Sequence, residues 1–183
     1  MYNNIRYLIP LHFILLITNI LPDNVFFLRL RGFLVKPFFG SCGADFRIGR
    51  NVTFYNSKNI HIGSNVYIAM GNWFNASESI FIADEVMFAP KSVIVSSNHT
   101  FNNNSYRYGK PKSSSIEIGT GTWVAANCTI TAGSKIGKGC LISANSSVIS
   151  DIPDYSVCGG VPAKVIKKIK WITCFKYSLI IIL

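Results

Sequence analysis

The chain has 183 residues, 49% of them hydrophobic and 14% charged, with 18 Lys and Arg against 8 acids. That length suits one domain with terminal appendages, and the sparse charge excludes a disordered polyelectrolyte. The net charge of +10 favours anionic partners such as a phosphorylated cofactor, an acidic membrane face or nucleic acid.

Residues 1–44 read as an apolar and basic helical segment. The run 7–22, "YLIPLHFILLITNILP", carries no charge, and no small-residue cleavage motif of a signal peptide follows it. A spanning helix needs about 20 apolar residues; this run is shorter and is broken by Pro10, His12 and Asn19. Two readings stay open. The helices pack on the domain or on a sister subunit, or they lie in the membrane interface with basic residues at their flanks. The first 50 residues hold six basic residues and two acids.

From about residue 45 to 158 a period of six takes over. Ile118, Val124, Ile130, Ile136, Ile142 and Val148 are six residues apart, a spacing that neither a helix nor a half-buried strand produces. The fourth residue after each of the first five is small: Thr122, Cys128, Ser134, Cys140 and Ser146. The same pattern runs through Ile48, Phe54 and Ile60, through Ile62, Ile68, Phe74 and Ile80, and through Ile82, Phe88 and Ile94. These positions predict an all-β solenoid of triangular coils, 18–20 residues each, stacked about 4.8 Å apart through parallel pairing. The hexad aliphatics point inward, and Asn and Gly make the corners. One coil cannot bury its inner face, so several must stack. Cys128 and Cys140 fall at small-residue positions and read as packing residues. The five cysteines, odd in number and without a CxxC pair, fit reduced thiols in a cytosolic protein. Six N-x-S/T matches, Asn51 and Asn127 among them, read as turns rather than glycan acceptors.

The rhythm slips by two residues at Ile60–Ile62 and Ile80–Ile82 and gives way at 96–115, where "SSNHTFNNNSY" opens a polar insertion that holds His99, one of three histidines. After the solenoid, residues 159–183 read as a helical tail that starts near Pro162, basic at first and then apolar. No G-x-x-x-x-G-K-[ST] phosphate loop occurs, and no metal-ligand spacing. His61 and His99 are the only imidazoles in the solenoid region, too few for a three-histidine zinc site. Nucleic acid is a poor fit, because no matching module is present.

The hexads, together with "DIP" at 151–153 and "GGVPAKVI" at 159–166, resemble the left-handed β-helix acyltransferases. The nearest branch is the sugar O-acetyltransferases, which act on maltose, galactosides and surface-polysaccharide precursors. The resemblance covers roughly residues 45–170 and supplies the left-handed sense. It implies transfer of acetyl from acetyl-coenzyme A to a sugar or glycan hydroxyl, by a homotrimer with its site in a cleft between coils and with no metal. The family's base is a histidine on a protruding loop, which implies His99; a neutral imidazole suits the task near pH 7. Many relatives carry Asp and a second His just before it, where this chain has Ser96, Ser97 and Asn98. The resemblance also implies thioester contacts at Ala126 and Ala144, basic contacts to coenzyme A at Lys164 and Lys167, and acceptor contacts at Trp123 and Asn75. The reduced thiols point to a cytoplasmic protein, and the apolar tails with their basic flanks leave peripheral membrane contact open. A non-enzymatic solenoid that binds a partner would also explain the hexads.

Overall fold

The computed structural model describes residues 4–169. Two helices come first, α1 (Ile9–Thr18) and α2 (Val25–Val35), as the apolar N-terminal run predicts. Asn24 starts α2 by accepting the Phe27 N–H at 3.0 Å, an ordinary N-cap bond. Leu11 and Leu15 of α1 and Val35 of α2 join the core of the first coil. Gly32 lets α2 lie directly on that coil: a Cβ there would come within 1.8 Å of the Phe46 carbonyl oxygen.

The link between the helices is built around Arg31, which is fully buried. Its Nη1 donates to Asp23 Oδ1 at 2.8 Å and to the Ile48 carbonyl at 2.6 Å; Nη2 donates to the carbonyls of Leu21 at 2.8 Å and Pro22 at 3.3 Å; Nε donates to that of Thr18 at 3.3 Å. All five N–H groups of the guanidinium are thereby used. Nothing in the sequence marks Arg31 as buried.

From Ser41 the chain winds as a three-faced solenoid. The first face stacks Ser41–Cys42, Ile60–Ile62, Ile80–Ile82, Ile116–Ile118 and Lys135–Ile136. The second stacks Arg47–Ile48, Tyr67–Ile68, Met87–Phe88, Trp123–Val124, Leu141–Ile142 and Ser156–Gly160. The third stacks Thr53–Tyr55, Trp73–Asn75, Val93–Val95, Thr129–Thr131 and Ser147–Val148. Neighbouring strands within these three stacks run parallel. Register gives the coil length: Tyr67 pairs with Met87, and Trp123 with Leu141. The step from Met87 to Trp123 is one coil plus the polar insertion.

Every hexad residue named from the sequence is buried. Phe54 stacks on Phe74 at 5.2 Å, and Phe88 meets Phe74 edge-on at 5.4 Å, so rings fill the upper coils and aliphatics the lower ones. The small corner residues do more than leave room. Thr122 Oγ1 donates to the Gly137 carbonyl at 2.8 Å and accepts from Cys140 N at 3.1 Å. Ser92 Oγ donates to the Ala125 carbonyl at 3.2 Å and accepts from Cys128 N at 3.1 Å. These hydroxyls satisfy corner amides and carbonyls that would otherwise be buried without partners. Asn51, Asn127 and Asn145 adopt positive φ at corners, where asparagine is better tolerated than most residues.

Cys128 and Cys140 pack inside the solenoid, as their small-residue positions predict. Cys128, Cys140 and Cys158 are buried. Burial pushes the Cys128 and Cys158 thiols up, and drives Cys42 up to about 11 despite Lys36. At pH 8 roughly a thousandth of Cys42 is thiolate, the nucleophilic form. Mass-spectrometric mapping after alkylation at that pH is therefore expected to find Cys42, Cys128, Cys140 and Cys158 unlabelled in native protein and labelled after denaturation.

The helix expected from residue 159 does not form through residue 168. Ser156–Gly160 continues the second face, and the chain turns back antiparallel as Ala163–Lys168. Cys158 takes the next inward position below Ile142. Gly159 and Gly160 are poor helix formers, and Gly160 turns the chain at φ 102°. The run from Trp171 onward, expected to continue the tail, lies outside the described residues.

Candidate active site

The polar insertion leaves the solenoid at the corner between the third and first faces. Ser96, fully buried, anchors the exit. Its Oγ donates to the Glu78 carbonyl at 2.7 Å and accepts from Glu78 N at 2.8 Å, while its N–H donates to the Asn75 carbonyl at 3.0 Å. The return strand is held by Ser114 N donating to the Ser96 carbonyl at 3.0 Å. Between these points Ser97–Asn98 pairs antiparallel with Lys112–Ser113. Further out, Thr100 Oγ1 donates to the Lys110 carbonyl at 2.7 Å, and Gly109 is needed because a Cβ would collide with the Thr100 carbonyl. The insertion is thus a hairpin with a fixed neck. His99 is exposed on that neck, one residue past the Asn98–Lys112 pair.

Asn75 lies at the foot of the same hairpin. It ends a third-face strand in register with Val95, its carbonyl holds Ser96, and its Oδ1 accepts from Ser77 Oγ at 3.3 Å. Asn75 and His99 therefore share one corner. Neither Asn98 nor any other described residue hydrogen-bonds the His99 ring.

The alanines sit elsewhere. Ala126 and Ala144 are stacked one coil apart at the corner between the second and third faces, where Asn145 N donates to the Ala126 carbonyl at 3.0 Å. Trp123 enters this corner from the second face and is partly exposed above Leu141, Val157 and Lys167 in one outward column. Lys164 pairs with Gly159, and Gly159 lies against Ser143, the neighbour of Ala144. With strands about 4.8 Å apart, Lys164 stands roughly two strands below the alanine corner. Lys164 and Lys167 are exposed and have no ion-pair partner among the described residues. The strand hairpin, rather than a helical face, is what carries them.

The predicted site residues thus form two groups, His99 with Asn75 and Trp123 with Ala126, Ala144, Lys164 and Lys167, at opposite edges of the third face. A face of six residues spans up to about 20 Å, and the three residues from Ser96 to His99 cover at most about 10 Å. A hollow of about 820 Å³ along the first face, past His61, Phe81, Glu117 and Lys135, includes neither group. Sequence reasoning missed Ser96 as the anchor of the hairpin. Its signal was a serine at the last position before the polar run.

No family model matches the chain. It is 32% identical over 136 residues to the galactoside O-acetyltransferase of Escherichia coli, covering 74% of this chain and 67% of that protein. The chain belongs to the hexapeptide-repeat acetyltransferase family. It is also 34% identical over 133 residues to WbbJ of Escherichia coli, named for lipopolysaccharide biosynthesis as an O-acetyl transferase, covering 66% of this chain and 62% of that protein. The chain thus spans about two thirds of the length of these relatives. A maltose O-acetyltransferase from Clostridium difficile superposes with a TM-score of 0.78 at 30% identity, over 88% of this chain and 85% of that one. A galactoside acetyltransferase in complex with coenzyme A also gives 0.78, at 29% identity over 87% and 79%. The solenoid of this hexapeptide-repeat acetyltransferase is accordingly a left-handed parallel β-helix.

Proposed function

We propose that the protein transfers an acetyl group from acetyl-coenzyme A to a hydroxyl of a sugar or glycan precursor, with His99 as general base. The observation that carries this reading is the anchored hairpin, which holds the only histidine of the insertion exposed on its neck, at the corner that also carries Asn75. In the reaction the acceptor oxygen bonds to the thioester carbonyl carbon as the His99 imidazole takes the hydroxyl proton. Backbone N–H groups stabilise the tetrahedral oxyanion. As it collapses, the carbon–sulfur bond breaks and the imidazolium returns its proton to the departing thiolate. Asn75 orients the acceptor hydroxyl, and Trp123 offers an aromatic wall to the sugar. Small side chains at Ala126 and Ala144 leave the backbone open to pantetheine.

The protein acts as a homotrimer, with each site between two copies. Support comes from the separation of the two residue groups: His99 of one copy meets the alanine corner of the next, and closed cyclic symmetry repeats that contact three times. The likeness to WbbJ favours glycan acceptors of surface-polysaccharide synthesis. The buried free thiols fit a reducing compartment, and a cytoplasmic location is part of the proposal.

Purified protein given acetyl-coenzyme A and a panel of hexosides and oligosaccharides is expected to release free thiol faster with at least one acceptor than without any. A folded protein that fails to bind coenzyme A by calorimetry would instead favour a non-enzymatic solenoid. Lys164 and Lys167 serve the cofactor phosphates as point charges. Lys164→Glu is expected to raise the KM for acetyl-coenzyme A about tenfold or more with little change in kcat, as loss of uniform binding requires. Steady-state kinetics across acetyl-coenzyme A concentration checks this.

A further inference from the structure

Each N-terminal helix has two apolar faces, and only one is used. Leu11, Leu15 and Thr18 of α1 are buried against the first coil. Ile9, Phe13, Leu16, Ile17 and, just past the helix, Ile20 are exposed; their spacing of four, three, one and three residues puts them on one face, opposite the buried stripe. On α2 the same spacing recurs in Phe26, Leu30, Phe33, Leu34 and Pro37, opposite Leu28, Arg31, Gly32 and Val35. Phe13, Ile17, Phe26 and Phe33 are each more than half exposed. The two helices pack against each other on the same coil; Ile9, Phe13 and Leu16 border a groove between α1 and residues 52–55 of the solenoid, while Ile17, Ile20, Phe26 and Phe33 are the most exposed of the two stripes. An exposed apolar patch of this kind marks an interaction surface.

We infer that this two-helix face docks on an anionic lipid surface, lying in the interface without crossing it. Charge selects that occupant. Residues 4–40 contain Arg6, Arg29, Arg31 and Lys36 and a single acid, Asp23. Asp23 is taken by Arg31 and Arg50, and Asp45 on the adjacent coil by Arg29 and Arg47. The helical face therefore offers cations and no free carboxylate. Arg29 is held by Asp45, but exposed Lys36, at the end of α2 beside Phe33 and Leu34, has no acidic partner among the described residues, and from that position a long basic side chain reaches headgroups while its stem covers apolar surface. A second copy applied to the same face would bring like charges together with no acid to pair them. Among the described residues no helix is long and apolar enough to cross a membrane, which leaves an interfacial position. The inference does not depend on the acetyl-transfer reading.

Co-sedimentation of the full chain with vesicles tests it. Binding to equimolar phosphatidylglycerol and phosphatidylcholine is expected to exceed binding to phosphatidylcholine alone and to weaken as salt is raised. The triple variant Phe13→Ser, Ile17→Ser, Phe33→Ser should lower the partition coefficient by about tenfold or more, since it removes three large apolar side chains. These positions are exposed, so circular dichroism and melting should match wild type. Undiminished vesicle binding by the triple variant would overturn the inference and point to another part of the chain. Absence of vesicle binding would also overturn it, and a change in mass by light scattering on the triple substitution would then identify another copy as the occupant.

Discussion

His99→Ala is expected to lower turnover about 10²- to 10⁴-fold, the usual contribution of a positioned general base. The KM for acetyl-coenzyme A and the melting temperature should stay near wild type. The reason is structural. His99 is exposed, and the neck that carries it is held by other groups: Ser96 against Glu78 and Asn75, Asn98 against Lys112, and Thr100 against Lys110. Removing the imidazole leaves those contacts in place. Comparable turnover by His99→Ala on an accepted sugar would assign the base elsewhere. A parallel fall in melting temperature would mean that the side chain supports the hairpin instead of the chemistry.

The second large effect is on stability. Arg31→Met keeps much of the side-chain volume but removes five hydrogen-bond donors from a buried position. The carbonyls of Thr18, Leu21, Pro22 and Ile48 lose a partner, and Asp23 keeps only its contacts to Arg50. Breaking one side of a buried ion pair costs about 3–5 kcal/mol, which for a chain of this size lowers the melting temperature by roughly 6–20 °C. Arg31→Lys should not rescue it, because three donors on a single nitrogen cannot reach carbonyls arranged around a planar fork. Differential scanning fluorimetry of the two variants reads the result, and a shift within a degree or two of wild type would show that the helix link is held by other contacts.

Much of the solenoid was legible because its rule is local and repetitive. Runs of inward side chains six residues apart, from Ile48 to Val148 with two-residue slips at Ile60–Ile62 and Ile80–Ile82, have no other common explanation, and the break at 96–115 stands out against them. The tail was misread for a physical reason. "AKVIKKI" has basic and apolar spacing compatible with a helix, yet its partner is the strand Ser156–Gly160, three to twelve residues upstream. Pairing across that turn satisfies strand hydrogen bonds that local propensity does not foresee. Arg31 was invisible for a related reason, since "LRLRGF" gives no sign of which arginine is buried. Only Gly32, whose missing side chain admits the Phe46 carbonyl, hints at a close approach there. The candidate residues could be named one by one, but sequence spacing could not say that they fall at two corners, because corner assignment needs the register of whole coils.

That division makes mixed assemblies the most direct measurement. His99→Ala protein keeps an open alanine corner, and Ala126→Trp protein keeps its histidine; each alone is expected to be nearly inactive. Co-expressed with different tags and purified as the mixed trimers that the proposal requires, the two should regain about a third of wild-type turnover, because a cyclic trimer holding both variants builds one of its three sites from one intact hairpin and one intact corner. Mixed trimers that stay at the background of the separate variants would contradict a site shared between copies.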